Sequence, residues 1–301
     1  MTIELDPEYV KAQALIKEAG VEPADPLKTP LADARQAQDR YFAFLAQDPP
    51  PVDSVRDFKV EGPAGLFTTR IYHPTASRDT PVIVFVRGGG WWAGTLDSHD
   101  RTMRLLAKES GYAVCGVDYH RAPEHRYPTQ LNEVLAAVRW LRDEGPALGV
   151  DAKRIVLIGE SAGANLCVLT AVHMRSEAPK ALSGLALFYG NYAAPKPASR
   201  AYSKLVWSQY LGSDVGNPVP DAVPLEADVA GLPPCWLGVG NVDPLLDDTL
   251  RFCEKLRFAG VTCQVKRYPG LPHAFVMLNR LFPPAADAVR DAAEQARRFA
   301  G

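Results

Sequence analysis

The chain has 301 residues, 47% of them apolar and 23% charged, with a formal net charge of -2. That balance suits a globular protein of one large domain or two small ones, offers no basic surplus for nucleic acid or an anionic membrane surface, and contains no stretch near the roughly 20 apolar residues that cross a bilayer. Cys115, Cys167, Cys235, Cys253 and Cys263 show neither CxxC nor Cys/His metal spacing, and their odd number argues against a disulfide framework, so reduced thiols in a cytoplasmic protein are expected.

In chain order, the polar and acidic start "MTIELDPEYVKAQ" lacks the basic and apolar regions of a secretory signal. Helical patterns follow at about 7–19 and 30–47, the second carrying Tyr41, Phe42, Phe44 and Leu45. "QDPPPVDS" then stops helix, because proline lacks a donor and clashes with the preceding turn. "FKVEG" and "LFTTRIYHP" predict two antiparallel strands, and "PVIVFVR" a buried one. After that, strand and helix alternate. "YAVCGVDY" precedes a helix near 128–143, "RIVLIG" one from 162, and "SGLALFYG" is a further strand. "CWLGVGN" precedes a helix at 246–259, and "TCQVKRYPG" a last helix at 284–299. Apolar runs joined by helical crossovers predict a mostly parallel sheet covered on both faces. Residues 191–232 break the rhythm with Pro- and Ala-rich sequence and one short amphipathic piece around Trp207 and Tyr210. A stretch this long is unusual as a plain connector. With the helices of residues 1–50 it is expected to cap the carboxyl edge of a domain spanning 51–301, the alternative being a surface insertion without a role.

Ligands of such sheets gather outside the carboxyl ends of the strands. Four loops there carry unusual residues: "RGGGWW", Ser161 in "GESAG", "VDPLLDD" and "PGLPHAF". Gly159 and Gly163 would let a sharp strand-to-helix turn lift the Ser161 hydroxyl out of the backbone at a helix N-terminus. A hydroxyl needs a base, and of six histidines only His273 follows the last strand in a loop opened by Pro269, Gly270 and Pro272. The orienting carboxylate should follow the penultimate strand. Asp243 fits best, with Asp247 and Asp248 as competitors in the ensuing helix. The Gly88–Gly90 run and the N–H of Ala162 could meet a developing oxyanion.

At this point the residues resemble the hormone-sensitive lipase family, or bacterial family IV esterases, of the α/β-hydrolase superfamily. The similarity runs from about 57 to 299 through "GGGWWAG", "GVDYHRAPEHRYP", "GESAG", "LEADVAGLPP", "VDPLLDD" and "GLPHAF". It implies an α/β-hydrolase fold with a helical cap and carboxylic ester hydrolysis by a triad of Ser161, Asp243 and His273. It further implies an oxyanion hole of Gly89, Gly90 and Ala162, no cofactor, and a dimer through the sheet edge and last helix. Trp91, Trp92, Trp207 and Tyr210 are expected pocket walls around a small-molecule ester.

Two positions depart from the family pattern. Arg87 stands where the oxyanion loop normally opens with His, either organising the loop by hydrogen bonds or meeting a substrate carboxylate. Ala274 replaces the usual Gly after the base. Two other functions share the framework. An aryl formamide or amide hydrolase would use the same triad. A non-catalytic small-molecule receptor would lack the base, and His273 is present.

Overall fold

The computed structural model describes residues 4–196, 198–212 and 219–301. The run predicted as a buried strand forms β3 (Thr80–Val86), in which every side chain from Pro81 onward is buried. The strand before the serine, β5 (Val150–Glu160), is likewise buried from Ile155 to its end. Neither alternates, because helices cover both faces of this part of the sheet. The predicted hairpin is β1 (Ser54–Gly62) and β2 (Gly65–His73), followed in the sheet by β4 (Ala113–Asp118). The remaining strands are β6 (Leu182–Phe188), β7 (Cys235–Gly240) and β8 (Cys263–Tyr268). All eight form one sheet in the order β1-β2-β4-β3-β5-β6-β7-β8. β2 pairs antiparallel with both β1 and β4, and all other pairs are parallel.

Helices α3 (Leu96–Ser110) and α8 (Pro283–Ala300) pack together on one face, and α4 (Thr129–Leu148) with α5 (Ala162–Glu177) on the other. α7 (Leu246–Phe258) packs on β7 and β8. α4 runs five residues past its expected end, carrying Pro146 in its last turn, where few helical bonds remain to be lost. β5 starts four residues early because a register shift between Pro81 and Val82 lets Val150 and Asp151 pair with Thr80 and Pro81.

The two N-terminal helices, α1 (Pro7–Glu18) and α2 (Leu31–Leu45), bury Ala12 and Ile16, and Ala34, Ala37, Phe42 and Leu45 respectively. Backbone contacts tie them down: Asp6 N–H donates to Gly270 O at 3.0 Å, and Arg280 to Phe44 O at 3.0 Å. The amphipathic piece of the insertion is α6 (Ala201–Leu211), which buries Val206, Trp207 and Tyr210. The five cysteines are buried free thiols. Among the described residues no helix is long and apolar enough to cross a membrane.

Candidate active site

β3 has β4 on one side and β5 on the other. The connections leaving β3 and β5 therefore diverge and open a crevice above their carboxyl ends. Ser161 follows β5 directly, at φ 53° and ψ −115°, a conformation that a residue with a Cβ adopts only under constraint. The constraint is visible in its neighbours. A Cβ on Gly163 would stand 1.9 Å from the Val86 carbonyl oxygen, and one on Gly159 would stand 2.7 Å from the Gly163 backbone. The turn is also tied across the sheet: Ser161 N–H donates to Phe188 O at 2.9 Å, and Ser161 O accepts from Asn191 N–H at 3.2 Å.

His273 brings Nε2 to 2.9 Å from Ser161 Oγ, and its Nδ1 lies 2.9 Å from Asp243 Oδ2 and 3.1 Å from Oδ1. The side chain of Asp243 is fully buried, and its Oδ1 also accepts the Leu245 N–H at 2.7 Å. With Nδ1 donating to the carboxylate, the Nε2 lone pair faces the hydroxyl. Burial works against the charged imidazolium. The charge and hydrogen bond of Asp243, with the charge of Glu160, outweigh it, and the His273 pKa is raised above its ordinary 6.5. Tyr189 closes one side of the ring, edge-on at 4.8 Å. Asp247 and Asp248 lie in the first turn of α7, and Asp248 pairs with Arg251 at 3.2 Å.

The glycine loop after β3 is committed residue by residue. Gly88 N–H donates to a carboxylate oxygen of Glu160. Gly89 and Gly90 turn through φ 95° and 59°, values that favour glycine, and the Gly89 carbonyl accepts from Trp92 and Ala93. Among the described residues the N–H groups of Gly89, Gly90 and Ala162 reach no protein acceptor, and Gly89 and Gly90 line a cavity of about 1040 Å³ beside Ser161 and His273. The cavity is walled also by residues of α2, α6 and the 191–200 segment.

Of the expected wall residues, Trp92 lines the cavity. Trp91 and Tyr210 stack behind it at 4.1 Å, with Trp207 edge-on to Trp91 at 4.9 Å. All three are fully buried, so they lock the glycine loop to α6 rather than face a ligand. Arg87 is 2% exposed and points away from the cavity. Its guanidinium donates to Ala93 O at 2.8 Å and Tyr119 O at 2.6 Å, and lies 3.9 Å over the Tyr119 ring. Tyr119 returns a bond to Arg87 O at 2.9 Å. That clamp holds the guanidinium on backbone carbonyls at the far end of the loop and just after β4, and Arg87 is not among the residues lining the cavity.

Two contributors escape sequence reasoning. Glu160, at the buried end of β5, holds Gly88 and also pairs with His99 Nε2 at 3.1 Å. The available signal was a carboxylate closing an otherwise apolar run. Arg35, on α2, donates to Trp92 O at 2.9 Å and Ala122 O at 3.0 Å while pairing with Glu124 at 2.8 Å. A single arginine on a surface-type helix carries no such signal.

A family model for the alpha/beta hydrolase fold matches residues 83–277. The chain is 33% identical over 285 residues to esterase LipI of Mycobacterium tuberculosis, covering 88% of each. It is 31% identical over 258 residues to an acetyl esterase of Salmonella choleraesuis, covering 81% of this chain and 80% of that protein. A solved esterase of Pyrobaculum calidifontis superposes with a TM-score of 0.88 at 27% identity, over 98% of this chain and 99% of that one. With the fold, the crevice and relatives that span most of its length in agreement, the chain belongs to the hormone-sensitive lipase family, the bacterial family IV esterases of the α/β-hydrolase superfamily.

Proposed function

We propose that this chain hydrolyses small to medium carboxylic esters through an acyl-enzyme on Ser161. The observation that carries this is the continuous path from Ser161 Oγ through His273 to Asp243, 2.9 Å at each step, at the edge of the cavity. His273 takes the hydroxyl proton as Ser161 attacks the ester carbonyl, while Asp243 holds the imidazole tautomer and stabilises the imidazolium. The carbonyl oxygen, now negative, meets the N–H groups of Gly89, Gly90 and Ala162, where loss of one donor typically costs about 3 kcal/mol. The imidazolium gives its proton to the departing alkoxide. Water, activated by the same imidazole, then releases the carboxylic acid and restores the serine.

Residues 1–50 and 191–232, of which 1–3, 197 and 213–218 lie outside the described residues, act in this reading as a cap over the domain of residues 51–301, and Trp92 faces the substrate. Arg87, Trp91, Trp207 and Tyr210 shape the loop from behind. The family relatives are named as esterases, which favours ester over formamide or amide cleavage. A fluorophosphonate should label Ser161, and short p-nitrophenyl esters should turn over faster than an aryl formamide. An unlabelled protein, or a formamide preference, would overturn the assignment. A homodimer through the β8 edge and α8, tested by light scattering, and a cytoplasmic site, tested by cell fractionation, belong to the same proposal. The five free buried thiols favour the latter.

A further inference from the structure

Three buried indole N–H groups, those of Trp91, Trp92 and Trp207, have no hydrogen-bond partner among the described residues. Trp91 and Trp207 are closed into packing with Tyr210. Trp92 differs: it is 2% exposed, yet it lines the cavity. Its indole lies against the proposed oxyanion donors, since a Cβ on Gly90 would stand 3.2 Å from Trp92 Nε1 and 3.1 Å from Val206 Cγ1. Its backbone is fixed at both ends, the carbonyl by Arg35 and the N–H by Gly89 O. Tyr202 of α6 keeps 45% of its surface accessible and lines the same cavity. Packing against the protein raises the Tyr202 pKa and a polar contact with the Trp92 N–H opposes that rise, so the two groups are neighbours, in a contact too loose to satisfy the indole N–H as a hydrogen bond.

A desolvated donor held rigidly in a mainly apolar wall is a cost that an acceptor arriving with the ligand would remove. A simple alkyl ester brings none to spare, because its carbonyl oxygen goes to Gly89, Gly90 and Ala162, its alkoxy oxygen takes the proton of His273, and both chains are hydrocarbon. We infer that the Trp92 indole N–H and the Tyr202 hydroxyl form a polar subsite for a second acceptor oxygen, and that the preferred substrates are oxygenated esters carrying an ether, hydroxyl or carbonyl oxygen a few bonds from the scissile carbonyl. A site built around a hydrogen bond discriminates against the analogue that lacks it, whereas a purely apolar pocket accepts both. The inference rests on the ester hydrolysis proposed above.

The test uses isosteric pairs: p-nitrophenyl methoxyacetate against butyrate for an oxygen on the acyl side, and 2-methoxyethyl against butyl acetate for one on the alcohol side. Each kcat/KM is divided by the ester's alkaline hydrolysis rate, which removes intrinsic reactivity. The full chain should prefer the oxygenated member of one pair about 5- to 10-fold, the factor an ordinary hydrogen bond supplies. The ratio should fall towards unity in Trp92→Phe and drop in Tyr202→Phe. Fluorophosphonate labelling is run on every protein. Labelled wild type with no preference in either pair, or a preference that survives in labelled Trp92→Phe, overturns the subsite while leaving ester hydrolysis standing. Unlabelled wild type overturns ester hydrolysis itself. If Trp92→Phe fails to fold, Tyr202→Phe decides: a lowered ratio upholds the subsite, and an unchanged one overturns it.

Discussion

The nucleophile turn and the glycine loop lie side by side at the ends of β5 and β3, yet they are held in opposite ways. The turn is held from within. Ser161 adopts its strained backbone because residues 159 and 163 have no side chains and the helix starts at once. The loop is held from outside, by Glu160 on Gly88, Arg35 on Trp92, Arg87 and Tyr119 on each other, and Tyr210 on Trp91. A structure fixed by its own backbone tolerates no added atom. One fixed by borrowed side chains should yield by degrees as each is removed.

The largest effects should fall on the turn. Ser161→Ala is expected to lower kcat by about a millionfold, the usual scale for removing a triad nucleophile, while melting stays close to wild type because only a hydroxyl is lost. Turnover of p-nitrophenyl butyrate alongside a circular-dichroism melt checks both. Next comes Gly163→Ala, whose methyl would meet the backbone oxygen of Val86 at 1.9 Å. Carbonyls of a central strand cannot swing aside, so a loss of at least about 3 kcal/mol is expected in urea unfolding. A variant as stable as wild type would show that the turn is not held by close contact.

The loop should respond more gently. Arg35→Met removes the bonds to the Trp92 and Ala122 carbonyls and the pair with Glu124, without touching a proposed oxyanion donor. Losing such a donor outright costs about 100- to 1,000-fold in kcat, so a loosened loop should cost about 10- to 100-fold. KM should change less, and Arg35→Lys should recover part of the loss. Arg87→Ala leaves two carbonyls without their donor and is expected to slow neutral and anionic esters alike. Loss confined to anionic esters would instead place a substrate carboxylate at Arg87.

Electrostatics gives a smaller and more directional difference. His273 must be neutral to accept the serine proton, and its pKa is raised. The acid limb of kcat/KM should therefore have its midpoint above pH 6.5, with activity falling as pH drops through it. The groups facing the imidazole are Asp243, Glu160, Ser161 and Tyr189. Glu160→Gln keeps an oxygen for Gly88 but removes a charge that favours imidazolium, so the midpoint should move to lower pH. An unmoved or rising midpoint would show that Glu160 acts on the loop alone.

The same contrast explains what could be read in the sequence. The turn is written in five consecutive residues, and Asp243 and His273 stand where the strand pattern ends, so position and chemistry pointed to them together. The loop is completed by side chains from α2, β5 and α6, and the pattern around each gives only its buried face. Ala34, Ala37, Phe42 and Leu45 mark the inner side of α2, but not that Arg35 reaches a carbonyl 57 residues away. Aromatic residue type, likewise, did not separate Trp92 on the cavity wall from Trp91, Trp207 and Tyr210 packed behind it.

The smallest expected effect concerns Ala274, the departure from the family pattern that lies outside the glycine loop. Ala274 follows the base in the left-handed region, at φ 61° and ψ 19°, which is the physical reason that glycine is usual there. A Cβ in that conformation costs roughly 1 kcal/mol, offset in part by the lower entropy of an unfolded chain with alanine in place of glycine. Ala274→Gly should therefore raise stability by about 0.5 kcal/mol or less, seen as a small upward shift in the thermal midpoint. Activity is a sharper reporter than melting. The alanine follows His273 directly and precedes the buried turn of Phe275–Leu278. If that strain positions the ring, as constraint positions Ser161, the glycine variant should gain stability and lose about two-fold in kcat. If the Ala274 backbone is held by its surroundings alone, as the glycine loop is, stability should rise and kcat should not move.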